Sequence, residues 1–76
     1  MISGLVVHFS EDESLTNAAL IEIKAKANID IGIQSERCLP IVVETDSIES
    51  SHKMTDWLFE LEGVSHVDVT YVHLDE

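Results

Sequence analysis

This 76-residue chain has one cysteine, one proline, three glycines and four residues that carry a fixed positive charge. A single cysteine, Cys38, excludes an internal disulfide and fits a reducing compartment. The glycines, Gly4, Gly32 and Gly63, stand alone, so there is no glycine-rich loop to cradle a phosphate. The bases Lys24, Lys26, Arg37 and Lys53 are scattered among fifteen acids, and the net charge is −11. Nucleic acid binding rests on clustered cations that neutralise phosphates, and this chain has no such cluster. No apolar run approaches the roughly 20 residues of a membrane-spanning helix. No basic segment precedes an apolar run at the N-terminus, so no export leader is visible and a cytoplasmic location is expected.

With 45% hydrophobic and 25% charged residues, the composition is that of a folded globular chain. The length predicts one domain over residues 1–76. A domain of this size buries only about 60% of its unfolded surface, which leaves little room for a deep catalytic cleft. The acidic surface attracts basic partners and repels anionic ones.

The hydrophobic pattern changes period four times along the chain. Ile2 to Phe9 alternates as a strand, with Leu5, Val7 and Phe9 on one face and Gly4, Val6 and His8 on the other. Ser10 and Glu13 have capping-box spacing, and a helix is predicted from about Asp12 to Ala27. Its core stripe is Leu15, Ala19, Ile23 and Ala27, widened by Ala18 and Leu20. Asn28 ends it, and Ile29, Ile31 and Ile33 then alternate with Asp30, Gly32 and Gln34 as a second strand. Ser35 to Cys38 reads as a hairpin-like loop and Leu39 to Thr45 as a third strand. A second helix, opened at Asp46 or Ser47, spans about Ser47 to Glu62 and buries Met54, Leu58 and Leu61, flanked by Ile48 and Trp57. Gly63 suits the left-handed residue that stops a helix. In the last strand Val67, Val69 and Tyr71 share one face, and His66, Asp68, Thr70 and Val72 the other.

The order is βαββαβ, two helix–turn–strand halves in tandem. Right-handed crossovers then point to an α+β, ferredoxin-like sandwich: a four-stranded antiparallel sheet in the order 4-1-3-2 with both helices on one face. The other face is left open. Alternation assigns to it Gly4, Val6 and His8, then Asp30, Gly32 and Gln34, then Val42 and Glu44, and finally His66, Asp68, Thr70 and Val72. A bare surface that is half apolar and dotted with acids marks an interaction site.

Catalytic and metal chemistry find weak support. His66 and His73 are seven apart and face opposite ways on a strand, so they do not chelate together. His8 and His66 fall on neighbouring strands of the open face with Asp68 beside them, a set that reads as surface histidines rather than a zinc site. His52 is expected in solvent. Arg37 neighbours Cys38, but no histidine lies near that thiol in sequence. No carboxylate pair has the apolar frame that raises a pKa for acid catalysis. No enzyme activity, metal or other cofactor is expected.

Three segments carry a resemblance: Ser3-Gly4-Leu5-Val6-Val7; Ile41-Val42-Val43-Glu44 leading into Asp46-Ser47; and Glu62-Gly63-Val64 followed by Val67-Asp68-Val69-Thr70-Tyr71. In these segments, and in length and element order, the chain resembles the NapD family, cytoplasmic maturation chaperones of periplasmic nitrate reductase. It departs from the family in its acidic first-helix cap, its histidines and Asn28. The resemblance implies a protein without catalytic residues. It would bind the twin-arginine signal peptide of the catalytic subunit precursor and hold back export until the cofactor is inserted. The open face is then the binding platform, with Gly4, Val6, His8, Val42, Glu44, Asp68, Thr70 and Val72 as its residues. Val6, Val42 and Val72 would meet the apolar part of the peptide, and Glu44, Asp68 and Asp30 its arginines through charge-assisted hydrogen bonds. The peptide would lie on the sheet as a helix or add to an edge as a strand. The chain is expected to be monomeric, with an edge strand as the route to any self-association. Two other βαββαβ readings compete. An ACT-like small-molecule module needs a ligand site after the first strand, where this chain has Ser10-Glu11-Asp12-Glu13. An acylphosphatase-like enzyme needs an arginine at that place.

Overall fold

The computed structural model describes residues 1–73. The elements are β1 (Ile2–Phe9), α1 (Glu13–Lys24), β2 (Ile29–Ile31), β3 (Cys38–Glu44), α2 (Ile48–Glu60) and β4 (Val64–His73). All strand pairs are antiparallel, and the sheet runs β2-β3-β1-β4. This is the predicted ferredoxin-like sandwich, order 4-1-3-2 read from the other edge.

One face of the sheet makes the core. Leu5, Val7 and Phe9 of β1, Leu39, Ile41 and Val43 of β3, Ile29 of β2 and Val67 of β4 are buried together with Ala19 and Ile23 of α1 and Leu58 of α2. Both helices therefore cover the same face, as the alternation requires. Leu20, Met54, Trp57 and Leu61 pack half-buried against this cluster. Lys26 lies over the Trp57 ring, 4.5 Å from its centroid, so a cation and a methylene stem close the open flank of the indole.

The first helix starts later than its predicted capping box, while the second opens on one of its two expected caps. Asp12 caps α1, its Oδ1 accepting from the backbone N–H groups of Ser14 at 2.9 Å and Leu15 at 3.3 Å. Ser47 caps α2 by accepting from Ser50 N–H at 3.1 Å. Asp12, two places nearer the helix than Ser10, has the extended backbone that a cap needs, and so does Ser47. Helix α1 stops at Lys24, short of the predicted Ala27, and Ala18 and Ala27 are exposed. The reason lies in Asn28, which is tied to β3: its side-chain amide donates to the Glu44 carbonyl, and its carbonyl accepts from Glu44 N–H, both at 3.0 Å. Strand β2 is also shorter than its alternating sequence. Gly32 N–H still donates to the Pro40 carbonyl at 2.8 Å, but the chain then leaves the sheet, and Ile33 is 89% exposed. Gln34 accordingly lies beyond the strand. The hairpin loop closes as expected through reciprocal Ser35–Cys38 backbone bonds, with Glu36 in the left-handed region.

Strand β4 has ten residues and its partner β1 has eight, so two residues have no opposite number. The register slips between Phe9 and His8, and again between Leu5 and Gly4. The second slip is a bulge at Thr70: Leu5 faces Val69, Gly4 faces Tyr71, and nothing faces Thr70. A slip of one residue exchanges the two faces of a strand. Val72, expected on the open face, pairs with Ser3 and turns toward the helices. Tyr71, expected in the core, pairs with Gly4 and turns to the open face. Val69 remains on the helix side but is 56% exposed, in the wall of an open groove between the sheet and the start of α2.

Candidate functional site

The registers arrange the open face in rows across the sheet. Glu44, Ile2 and His73 form the first, and Asp30, Val42, Gly4 and Tyr71 the second. Pro40, Val6 and Asp68 form the third, and Cys38, His8 and His66 the fourth. Seven of the eight residues expected on this surface, Gly4, Val6, His8, Val42, Glu44, Asp68 and Thr70, are brought together on it. Val72 is the correction. It lines a groove of about 300 Å³ on the helix side with Met1, Leu5, Ile48 and Val69. Tyr71 takes its place, half exposed on the platform.

The Tyr71 exchange depends on Gly4. A Cβ on Gly4 would run into the Tyr71 ring and would stand 2.8 Å from Thr70 Oγ1. The ring therefore lies across a bare stretch of backbone, as cross-strand aromatics do over glycine. Thr70 Oγ1 donates to the Gly4 carbonyl at 2.8 Å and fastens the bulge to β1. The signal available in the sequence was a glycine in the first strand and a tyrosine in the fourth, but only the register shows that the two meet.

Asp68 is the polar centre of the fourth row and its neighbour. A carboxylate only accepts, so His8 donates through Nε2–H to Oδ2 at 2.8 Å and His66 through Nε2–H to Oδ1 at 2.7 Å. The two rings are 5.7 Å apart between centroids. The hydrogen bond from His8, followed by that from His66, holds the Asp68 carboxyl below its ordinary range. The sign of the linkage follows. A depressed native pKa contributes stability above the unfolded value of about 3.9, and that contribution is lost as pH falls through the native value. Urea unfolding of wild type and Asp68→Asn between pH 5 and pH 2 is expected to show the wild type losing more stability over that window. Parallel curves would show that the histidine contacts do not favour the charged carboxylate.

Cys38 has a neighbour that the sequence conceals. Its Sγ lies 3.4 Å from His8 Nδ1, because β3 and β1 place residues 38 and 8 opposite one another. Among the described residues, no group of three or more His, Cys, Asp or Glu side chains is arranged to hold a metal ion.

The platform is acidic. Glu44, Asp30 and Asp68 project from it, and no lysine or arginine occupies its rows. Arg37 sits in the β2–β3 loop, 3.4 Å from Glu11, while Lys24 and Lys53 lie on the helices. Glu44 and Asp30 form no ion pair among the described residues, which leaves both carboxylates open to a cation. Asp68, by contrast, is engaged on both oxygens.

Comparison with known proteins adds one finding. The structure is similar to the solution structure of the E. coli Tat proofreading chaperone protein NapD, with a TM-score of 0.78 and 19% sequence identity. The match covers 100% of this chain and 80% of the other. The chain has that protein's fold. No family model and no curated relative matches the sequence. No helix among the described residues is long and apolar enough to cross a membrane.

Proposed function

We propose that this protein is a non-enzymatic, cytoplasmic chaperone that binds a twin-arginine signal peptide on the open face of its sheet. The peptide is that of the periplasmic nitrate reductase catalytic subunit precursor, held back from export until its cofactor is inserted. One observation carries the reading: a sheet face left free by both helices, apolar at Ile2, Val6, Val42 and Tyr71, acidic at Asp30, Glu44 and Asp68, and without a lysine or arginine. Such a leader pairs a basic segment with an apolar one, and this surface complements both. The fold shared with a Tat proofreading chaperone supports it further.

The register refines the contacts. Asp30 pairs with Val42, next to Glu44, so the two unpaired carboxylates share one corner and are the first acceptors for the arginines. Guanidinium and carboxylate meet there in bidentate hydrogen bonds. An arginine reaching Asp68 shares its carboxylate with two histidines. Tyr71 and Val6 receive the apolar segment beside that corner.

Calorimetric titration with a synthetic twin-arginine leader tests this. The double variant Glu44→Lys/Asp68→Lys is expected to bind about 30-fold more weakly with an unchanged fold, because two attractive contacts become repulsive. Tyr71→Ala is expected to weaken binding, and Val72→Ala to leave it as it was. Equal affinity for wild type and the double variant would sink the acidic contacts. A loss at Val72 but not at Tyr71 would move the site to the other face.

A further inference from the structure

We propose that Cys38 is a site of reversible thiol–disulfide modification, activated by His8 and oriented through Asp68, that takes low-molecular-weight disulfides. The inference does not depend on the peptide reading. It rests on a three-member relay formed across three strands. Cys38 Sγ is 3.4 Å from His8 Nδ1, and His8 Nε2 is 2.8 Å from Asp68 Oδ2. The carboxylate accepts, so the Nε2 nitrogen carries the ring proton and Nδ1 presents its lone pair to the thiol. A nucleophile within reach of a base, with that base held by a third group, is the general constellation of an activated side chain.

Access is provided as well. Cys38 and His8 share the wall of an open depression of about 400 Å³ with Ser10, Glu11, Glu36, Arg37 and Ser65. Cys38 itself is half-buried. Arg37 on the rim is 3.4 Å from Glu11 and stands beside Glu36, so the His8 base, not a positive rim, carries the activation. No second cysteine exists in the chain to capture the sulfur internally, so the product persists until an external thiol removes it.

The exchange balances without an outside oxidant other than the disulfide itself. His8 Nδ1 takes the proton of the Cys38 thiol. The sulfur's electron pair attacks one sulfur of the small disulfide, a new S–S bond forms to Cys38, and the original S–S bond breaks. The departing sulfur leaves with the bonding pair and takes up the proton from His8. Cys38 is oxidised to a mixed disulfide, and the departing half is reduced to a thiol.

The test uses the neutral chromogenic probe 4,4′-dithiodipyridine on the full chain. At pH 7 the native protein is expected to react about tenfold faster than the same chain unfolded in guanidinium chloride, although the fold half-buries Cys38. His8→Gln is expected to bring the native rate to the unfolded rate or below it. Asp68→Asn is expected to slow the reaction about threefold and displace its pH–rate profile, which a purely structural role for Asp68 would not do. Circular dichroism checks each fold. If His8→Gln does not fold, the native-to-unfolded ratio and Asp68→Asn decide. A native rate at or below the unfolded one, or a folded His8→Gln variant as fast as wild type, overturns the proposal.

Discussion

Gly63→Ala is expected to cost about 3 kcal/mol of stability, the sum of two effects that act at one atom. Gly63 has φ +94°, a conformation that L-residues with a Cβ rarely adopt. A Cβ there would also collide with the Leu15 carbonyl oxygen and stand 2.6 Å from its carbon and 3.0 Å from Thr16 N. These are backbone atoms in the first turn of α1, so no side chain can swing aside. Gly63 also accepts from Ser10 N–H at 2.7 Å through its carbonyl, which ties the start of β4 to the end of β1. Moving Gly63 outward would therefore loosen both the helix start and the sheet. For a domain of this size the loss corresponds to a Tm lower by roughly 12–24 °C. Gly32→Ala is the matched control. Its Cβ would stand 3.0 Å from the Pro40 ring and 3.1 Å from the Pro40 carbonyl oxygen, tight but without the collision seen at Gly63, and its backbone needs no left-handed φ. It is expected to stay within about 1 kcal/mol of wild type. Thermal unfolding of the two variants side by side distinguishes a special backbone position from a general intolerance of change, and equal midpoints would refute the argument.

Leu58→Ala is expected to be of similar or larger effect, about 2–5 kcal/mol. Leu58 is wholly buried and is the one apolar residue of α2 with no exposed surface. The helix is otherwise attached by half-buried side chains, Met54, Trp57 and Leu61, while Ile48 and Phe59 remain largely exposed. Removing the leucine takes away the centre of that attachment and leaves a cavity between α2 and the sheet. Small domains have about 5–10 kcal/mol in total, so a large part of the native population is at stake. The measurement is a urea titration, in which the midpoint falls and the slope stays constant. A shift below about 1 kcal/mol would mean that α2 is held mainly at its ends.

The alternation of the strands was sufficient to read the sheet order, the core face and most of the open face. It failed where the chain adds a residue without changing its chemistry. Val69, Thr70, Tyr71 and Val72 form a smooth β-forming run, and nothing in their side chains marks Thr70 as the residue left unpaired. The bulge is defined by the partner strand, and a single strand read alone does not contain it. Ile33 failed for a related reason: its isoleucine period continues past the point where β2 has a partner. The early stop of α1 reflects the Asn28–Glu44 bonds, which outweigh the helix preference of Ala25, Lys26 and Ala27. At the site, the proximity of His8, His66 and Asp68 followed from antiparallel neighbours. The Cys38–His8 contact joins residues 30 apart and emerges only when β3 is set in register against β1.

The bulge at Thr70 has one more consequence. Strand β4 is the last strand of the sheet, so one side of its ten residues has no partner strand. A long free border of this kind is a template on which further copies can stack into fibres. Here the extra residue at Thr70 breaks the border into two short runs and twists them out of line. Each incoming copy would also bring a charge of −11 to meet another of −11. The kink and the charge together oppose polymerisation of the chain with itself. Neither would oppose a short cationic strand, so the same acidity that repels further copies leaves the margin compatible with a basic segment.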